Sequence, residues 1–357
     1  MPSCKTEPHS STWFDENSLT ISQYLKKYKN EYSKFYQLLD NGKMLSALYA
    51  YNPRGDGYTL FLPTNAAIDH FIQQNQQYGN FEELAKDTSF VKRLTRYHTL
   101  KRKLRTHEFP DGALIDSTLT GDRLVAEFFA VDNNPIIKIN NVAPIIRPNL
   151  DMSNGCIHVI SEVLQPIDVS GYDWLQQQNE YTILAKAMEL SGIQKKLKWD
   201  KYTLFVEPDS IYHRYGIHTV EDLIVRIASP GVPLSNITNS FYQFTSYHLL
   251  KGEYYMNDFH WGSKDYFTLS NQLLTISIGQ IIKINPGVDT YGMIVSESGD
   301  TTEIDYIRPI LESCNIITRT GPVHPISDLM YYQPLPAGIK QYEQNNVVKR
   351  NARSGRQ

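Results

Sequence analysis

The chain has 357 residues, a net charge of −3, and 41% apolar against 20% charged residues. That balance supports ordinary globular cores and excludes a general field for polyanions, so nucleic acid is not an expected partner. No apolar run reaches the roughly 18 residues a membrane-spanning helix needs. Aromatic residues make up 12%, with 24 tyrosines. Tyr has an apolar body and a polar tip, so two uses stand: contact with partners or sugars, and filling of half-buried strand positions.

Taken in chain order, residues 1–16 read as a polar tether. Ser3-Cys4 followed by polar residues resembles the mature end of a bacterial lipoprotein, which implies lipidation of Cys4. Acyl chains supply about 0.8 kcal/mol per buried CH₂, enough for stable attachment when several are present. The other reading is a free thiol in a polar tail. Lys5 and Glu7 give a faint version of the acidic export tag of Bacteroidetes surface lipoproteins. The other cysteines are Cys156, expected as a buried thiol, and Cys314, in a second-half insertion.

Residues 17–41 show amphipathic helical spacing, and residues 52–57 (N-P-R-G-D-G) form a turn. The R-G-D inside it is expected to serve turn geometry, with integrin binding as the alternative. Residues 58–71 (Y-T-L-F-L-P-T-N-A-A-I-D-H-F) then read as a buried strand stopping at Pro63, with Asn65 as the expected cap of a following helix. Residues 81–97 are helical in pattern and lead into R-Y-H-T-L-K at 96–101. The basic segment Lys92, Arg93, Arg96, Lys101, Arg102, Lys103, Arg105 reads either as a site for an acidic partner or as a solvated face. Residues 136–146 read as a strand pair turning at Asn140-Asn141, and 155–164 as a closing strand.

The second half repeats this series. Y-T-L-F-V-E-P-D returns at 202–209, with Asp209 as the expected cap. S-Y-H-L-L-K returns at 246–251, I-I-K-I-N at 281–285 and G-P-V-H-P-I-S-D-L-M at 321–330. Four landmarks in one order, separated by roughly 150 residues, point to duplication of a complete globular domain rather than a solenoid. Pro325 removes a backbone donor where the first copy has Val159, so the last strand is expected at an edge or bent.

These landmarks resemble the fasciclin family. T-L-F-L-P-T-N-A-A-I at 59–68 is similar to its signature T-L-F-A-P-T-[DN]-x-A-F. Tyr97-His98 and Tyr247-His248 match its Y-H box, and N-G-C-I-H-V-I at 154–160 matches its closing box, with His158 and His324 in the two copies. The resemblance implies a mixed α/β fold: two tandem fasciclin-like domains, each a β-sandwich or wedge wrapped by helices. They would span residues 17–166 and 171–334, the second with loop insertions near 229–239 and 286–306, followed by a basic polar tail at 335–357. It also implies a role in adhesion or extracellular protein binding. In animal members the Y-H box is implicated in integrin adhesion.

Chemistry finds little support. The chain has no H-E-x-x-H, G-x-S-x-G, P-loop, G-x-G-x-x-G or C-x-x-C motif, and no enzyme, cofactor or metal is expected. The four repeated histidines are read as buried neutral imidazoles with both nitrogens hydrogen-bonded. Trp174 and Trp199 are read as core or interdomain anchors, and the insertions as the main candidates for a partner surface. Tyr254, Tyr255, Phe259, Trp261 and Tyr266 form an aromatic cluster with two open readings, a sugar- or partner-binding surface and core.

The functional expectation is a non-enzymatic lipoprotein of a Gram-negative envelope, lipid-anchored at the outer membrane and surface-displayed, binding proteins or host and cell-surface ligands. Two alternatives accompany it: an accessory subunit of a SusC/SusD-type nutrient importer, and a carbohydrate-binding surface protein.

Overall fold

The computed structural model describes residues 19–50, 56–131, 134–278, 282–286, 293–295, 301–303 and 307–331. The chain divides into two compact units, Met1–Pro166 and Ile167–Gln357. The tether with Cys4, Arg54 and Gly55 of the R-G-D, most of the 286–306 insertion and the tail at 335–357 lie outside the described residues.

Unit 1 runs α1 (Ile21–Lys27), α2 (Lys29–Asn41), α3 (Leu45–Tyr49), β1 (Tyr58–Pro63), α4 (Asn65–Gln74), α5 (Phe81–Lys86), α6 (Thr88–Tyr97), β2 (Thr99–Leu100), β3 (Gly112–Ser117), β4 (Arg123–Val131), β5 (Asn134–Ile139), β6 (Ala143–Met152) and β7 (Gly155–Ile160). Its seven strands form one sheet in the order β2-β1-β7-β6-β5-β4-β3. Only β1 and β7 are parallel, with Phe61 opposite His158. A bridge from Leu100 to Thr118 brings the two ends of the sheet together, so it rolls into a nearly closed wedge.

Strand alternation sorts β1 between two cores. Leu60 and Leu62 face the helices with Phe35, Ile68 and Val159, while Phe61 faces the inside of the wedge with Tyr97, Leu124 and Ile139. A strand buried on both faces favours the run Y-T-L-F-L, and its one short polar residue, Thr59, is buried with its hydroxyl donating to the Arg102 carbonyl at 2.6 Å and accepting from the Leu104 N–H at 2.8 Å. Asn140 and Asn141, both at φ 54°, make the turn between β5 and β6, the left-handed pair a tight hairpin needs.

Unit 2 repeats the plan: α7 (Gly171–Gln177), α8 (Thr182–Leu190), α9 (Gln194–Leu197), β8 (Tyr202–Val206), α10 (Asp209–Arg214), α11 (Val220–Ile227), α12 (Ser240–Tyr247), β9 (Leu249–Lys251), β10 (Gly262–Phe267), β11 (Leu273–Ile278), β12 (Ile282–Pro286), β13 (Met293–Val295), β14 (Thr301–Glu303) and β15 (Val323–Pro325). The strands group as β15-β8-β9, β10-β11-β12 and β13-β14. Parallel pairing recurs between β15 and β8, with Phe205 opposite His324, and Leu250 bridges Thr268 as Leu100 bridges Thr118. Leu204 and Val206 join the helical core, and Phe205 joins the second core with Tyr247, Leu274 and Ile326.

The closing strand is shorter here, Val323–Pro325 against Gly155–Ile160. Among the described residues it ends its sheet, and beyond it isolated bridges continue, from Val323 to Ile316 and from Ile326 to Pro309. Pro325 has no N–H to give on that side, where its carbonyl accepts from the Ile310 N–H at 2.8 Å, so contact there is limited to bridges rather than a regular ladder among the described residues.

Two expectations about caps are corrected. Thr64, not Asn65, caps α4 by accepting from the Ala67 N–H at 3.1 Å. Pro208 occupies the same place before α10 and has no side-chain cap bond. Asn65 and Asp209 instead reach back to earlier helices. Asn65 accepts from the Lys34 N–H at 2.9 Å, and Asp209 accepts from the Thr182 and Ile183 N–H groups at 3.1 and 3.0 Å. Asp209 thereby satisfies donors at the start of α8, a cap supplied from a distant part of the chain.

Candidate functional site

The Y-H boxes sit where a helix ends and a short strand begins. His98 is the C-cap of α6 and His248 the C-cap of α12, and both are fully buried. Nδ1 of His98 donates to the Leu94 carbonyl at 2.8 Å, which leaves Nε2 to accept from the Leu164 N–H at 3.1 Å. Burial lowers its pKa to about 4, against a smaller opposing contribution from the hydrogen bond to the Leu94 carbonyl. Tyr97 is buried and accepts from the Asn140 side chain at 2.9 Å, and Tyr247 donates to the Leu273 carbonyl at 2.7 Å. Burial raises the Tyr97 phenol well above its usual range. None of these four side chains is accessible to an external partner.

The closing boxes form a second matched pair with the opposite tautomer. Nε2 of His158 donates to the Leu104 carbonyl at 3.0 Å, and its Nδ1 accepts from the Asn149 N–H at 3.2 Å. His324 does the same with the Tyr254 carbonyl at 2.8 Å and the Asn315 N–H at 3.2 Å. Burial lowers both to about 4. These imidazoles tie the returning chain to the central strands. Among the described residues no group of three or more His, Cys, Asp or Glu side chains is placed to hold a metal.

Unit 2 differs at one partner. There Glu207, also fully buried, lies between the ring and the closing segment: its Oε1 is 2.8 Å from His248 Nε2 and accepts from the Met330 N–H at 3.2 Å. Glu207 stands where unit 1 has Pro63. The sequence shows that substitution, but its encounter with His248 depends on the fold.

The aromatic cluster does not form a surface. Tyr255, Phe259 and Tyr266 are buried, Phe259 and Tyr266 meet edge to face at 5.4 Å, and Tyr254 stacks on Phe259 at 5.8 Å. All except Trp261 belong to the interior or its margin, because β10 turns Tyr266 inward against β11. Trp261, 79% exposed, precedes β10. Trp199 is likewise exposed rather than core, its ring covered on one side by the Arg319 guanidinium at 5.4 Å. Trp174 packs half-buried against the helical core.

The basic segment of unit 1 is partly neutralised. Arg102 pairs with Asp116 at 3.1 Å, and Lys103 and Arg105 both reach Asp151, at 3.0 and 2.7 Å. The two cations hold the Asp151 carboxyl below the usual carboxylate range, chiefly through the Arg105 hydrogen bond. The described insertion at 229–239 closes on itself: Asn239 accepts from the Ser229 N–H at 3.1 Å and donates to the Val232 carbonyl at 2.8 Å.

The sequence reading did not anticipate the outer face of the unit 1 wedge. Leu114, Ala126 and Ala143 point inward, so alternation sends Ile115, Phe129 and Ile146 outward from β3, β4 and β6, and all three are exposed. Phe129 pairs across the ladder with Ile136, and Lys138 Nζ sits 5.1 Å from its ring centre. Phe128 is also exposed, at the end of the inward-pointing row. The available signal was the Phe128-Phe129 dipeptide: adjacent strand residues cannot share a face.

A fasciclin-domain family profile matches residues 30–166. Human periostin is 22% identical over 303 residues, covering 84% of this chain and 30% of periostin. Mouse stabilin-1 is 28% identical over 189 residues, and rat stabilin-2 is 29% identical over 136, covering 6% and 8% of those proteins. The chain thus spans less than a third of the length of these relatives. The solved FAS1 domain pair from the insect cell adhesion molecule fasciclin I covers 84% of this chain and 97% of its own, at 16% identity and a TM-score of 0.35.

Proposed function

We propose that this tandem of fasciclin-like domains is a non-enzymatic adhesion or protein-binding molecule of the cell envelope, working through exposed faces rather than through its Y-H boxes. The observation that carries this reading is the contrast in exposure. Tyr97, His98, Tyr247 and His248 are buried, while unit 1 presents Ile115, Phe129 and Ile146 on one side of its sheet. Aromatic and aliphatic side chains exposed on a rigid sheet suit contact with another protein, because their burial on binding is favourable and little ordering is required. The profile match over residues 30–166 supports the family side of the reading.

In its finer form the protein is lipid-anchored through Cys4 at the outer membrane and displayed on the surface, supported by Ser3-Cys4 ahead of a polar tether. No described helix is long and apolar enough to cross a membrane. The test is attachment of beads carrying the full chain to cells or to immobilised envelope proteins. Phe129→Ser with Ile115→Asp is expected to reduce attachment at least tenfold with the unfolding midpoint little changed. Retained attachment by that variant overturns the assignment to this face. Mild-detergent purification that yields a large β-barrel in stoichiometric amount would identify the importer-accessory role instead.

A second reading rests on Trp261, whose exposed indole offers a stacking face for a sugar ring. Glycan-array binding abolished by Trp261→Ala supports that reading, and absence of any glycan signal removes it.

A further inference from the structure

Two histidines of unit 2 lie outside the repeated boxes. His213 is on α10, His218 follows it across a turn, and both are exposed. Their ring centres are nevertheless only 5.0 Å apart, with the planes inclined at 33°. Among the described residues no ring nitrogen of either has a hydrogen-bond partner.

The backbone that carries the pair is held from several sides. Gly216, at φ 69°, turns the chain after α10, and Ile217 between the two histidines is fully buried. Arg226 of α11 donates to the Tyr215 and Gly216 carbonyls at 2.7 and 2.8 Å, and Asp222 accepts from the His218 N–H at 2.9 Å. Beside His213, Arg214 donates to the Ser327 carbonyl at 2.8 Å, and the Tyr215 hydroxyl donates to Asp328 at 2.9 Å. These bonds fix the main chain on both sides of the turn without using either imidazole.

Attraction between the rings does not account for their closeness. Aromatic pairs favour offset-parallel or perpendicular arrangements, and 33° is neither. A shared metal ion does account for it. Two imidazoles whose nitrogens stand about 2.0–2.1 Å from one metal, at tetrahedral or square-planar angles, bring their ring centres to roughly 4.5–5.5 Å. The observed separation falls within that interval. Imidazole suits zinc, copper and nickel, whereas calcium and magnesium take oxygen ligands. Asp222 beside His218 brings a negative charge to the same turn, which favours a cation there.

We propose that His213 and His218 form a two-histidine surface site on unit 2 for one divalent transition-metal ion of the zinc, copper and nickel class. Among the described residues no third His, Cys, Asp or Glu completes a larger group, so water fills the remaining positions on the metal. Unit 1 has no counterpart: Asp69 stands at the position of His213 and forms an ion pair with Lys34. Metal binding here does not depend on which face contacts a partner, so this site and the adhesion reading can fail separately.

The test is calorimetric titration of the full chain with zinc chloride at about pH 7.5, in a Cys4→Ser background so that the Cys4 thiol takes no metal. One zinc per chain is expected, with the His213 and His218 ring signals shifting together in NMR spectra. His213→Gln and His218→Gln are each expected to weaken binding roughly tenfold or more, at least as much as loss of an outer hydrogen-bond partner does at a metal site. His70→Gln, His107→Gln and His260→Gln, at the other exposed histidines among the described residues, are expected to leave it unchanged. Zinc binding that survives the loss of either histidine overturns the site, as does a shift confined to one of the two rings. Absence of binding at millimolar zinc overturns it as well.

Discussion

The two units answer the same packing problem with different chemistry at one position. In each, a histidine capping a helix must connect to the chain returning beside the central strand. Unit 1 makes that connection with one neutral hydrogen bond, His98 to the Leu164 N–H. Unit 2 interposes a buried carboxyl, Glu207, between His248 and Met330. A duplicated fold therefore preserves the geometry of its boxes more strictly than their electrostatics, because steric fit is set by the whole core and charge by a single residue.

The comparison is broken most strongly where the two units are alike. A Cβ on Gly155 would stand 2.2 Å from the Tyr58 carbonyl oxygen, and one on Gly321 would stand 2.1 Å from that of Tyr202. Both contacts are with backbone that the parallel pairing holds in place. Gly155→Ala and Gly321→Ala are each expected to destabilise their unit by roughly 3–5 kcal/mol in denaturant unfolding. Gly321→Ala should be the more severe, since Gly321 also has φ +115°. Equal, small effects would mean that the parallel pairs are not held this tightly.

Next in size are the histidines themselves. His248→Ala strands a buried carboxyl and is expected to reduce stability by about 3–5 kcal/mol. His98→Ala leaves only a neutral N–H and a carbonyl unpaired, for about 1–3 kcal/mol beyond lost packing. Unfolding of the two variants side by side measures the difference, and a larger loss for His98→Ala would reverse the electrostatic contrast.

Acid sharpens the comparison further. His98 and His158 of unit 1 have folded-state pKa values lowered to about 4 by burial, and His324 of unit 2 has the same shift. An unfolded histidine takes up a proton near pH 6.5, so each buried neutral ring contributes stability that is present above that pH and lost as pH falls toward about 4. The loss is a few kcal/mol per ring at most. Unit 1 has two rings with this shift and unit 2 has one, so unit 1 is expected to lose stability more steeply between pH 6.5 and 4. Amide exchange resolved by unit reads this directly, and a steeper loss in unit 2 would contradict it.

The smallest effects on stability belong to the surfaces. Trp261→Ala is expected to change stability by no more than about 0.5 kcal/mol because its side chain is largely in water, and Phe129→Ser by about 1 kcal/mol through its cross-strand contact with Ile136. A loss of several kcal/mol at either position would show that the residue belongs to a core, and its proposed binding role would fall.

Much of the fold was legible in the residues. The repeated Y-T-L-F run, bounded by turn and helix signals, identified the central strand of each unit because a strand buried on both faces is built from aromatic, aliphatic and β-branched residues, with Thr59 and Thr203 as its only polar members. The histidine boxes were legible as interior features, since each lies within such strings. The aromatic cluster around Tyr254 and Tyr266 was not, for a local run of rings looks the same whether the strand turns them inward or outward. The caps misled for a related reason. Asn65 and Asp209 are suitable cap residues by type, but they serve neighbouring helices that only the folded chain brings near.

What the sequence determined by itself is the duplication, the order of elements and the identity of the buried strands, because these are written in short-range pattern and in repetition. What only the tertiary structure decided is which side chains meet across those strands. Glu207 faces His248 although the two are far apart in the chain, and Ile115, Phe129 and Ile146 share an outer face although they lie on three strands. Pairing partners and the direction of a sheet's curvature depend on long-range contacts, and no local pattern of residue types encodes them.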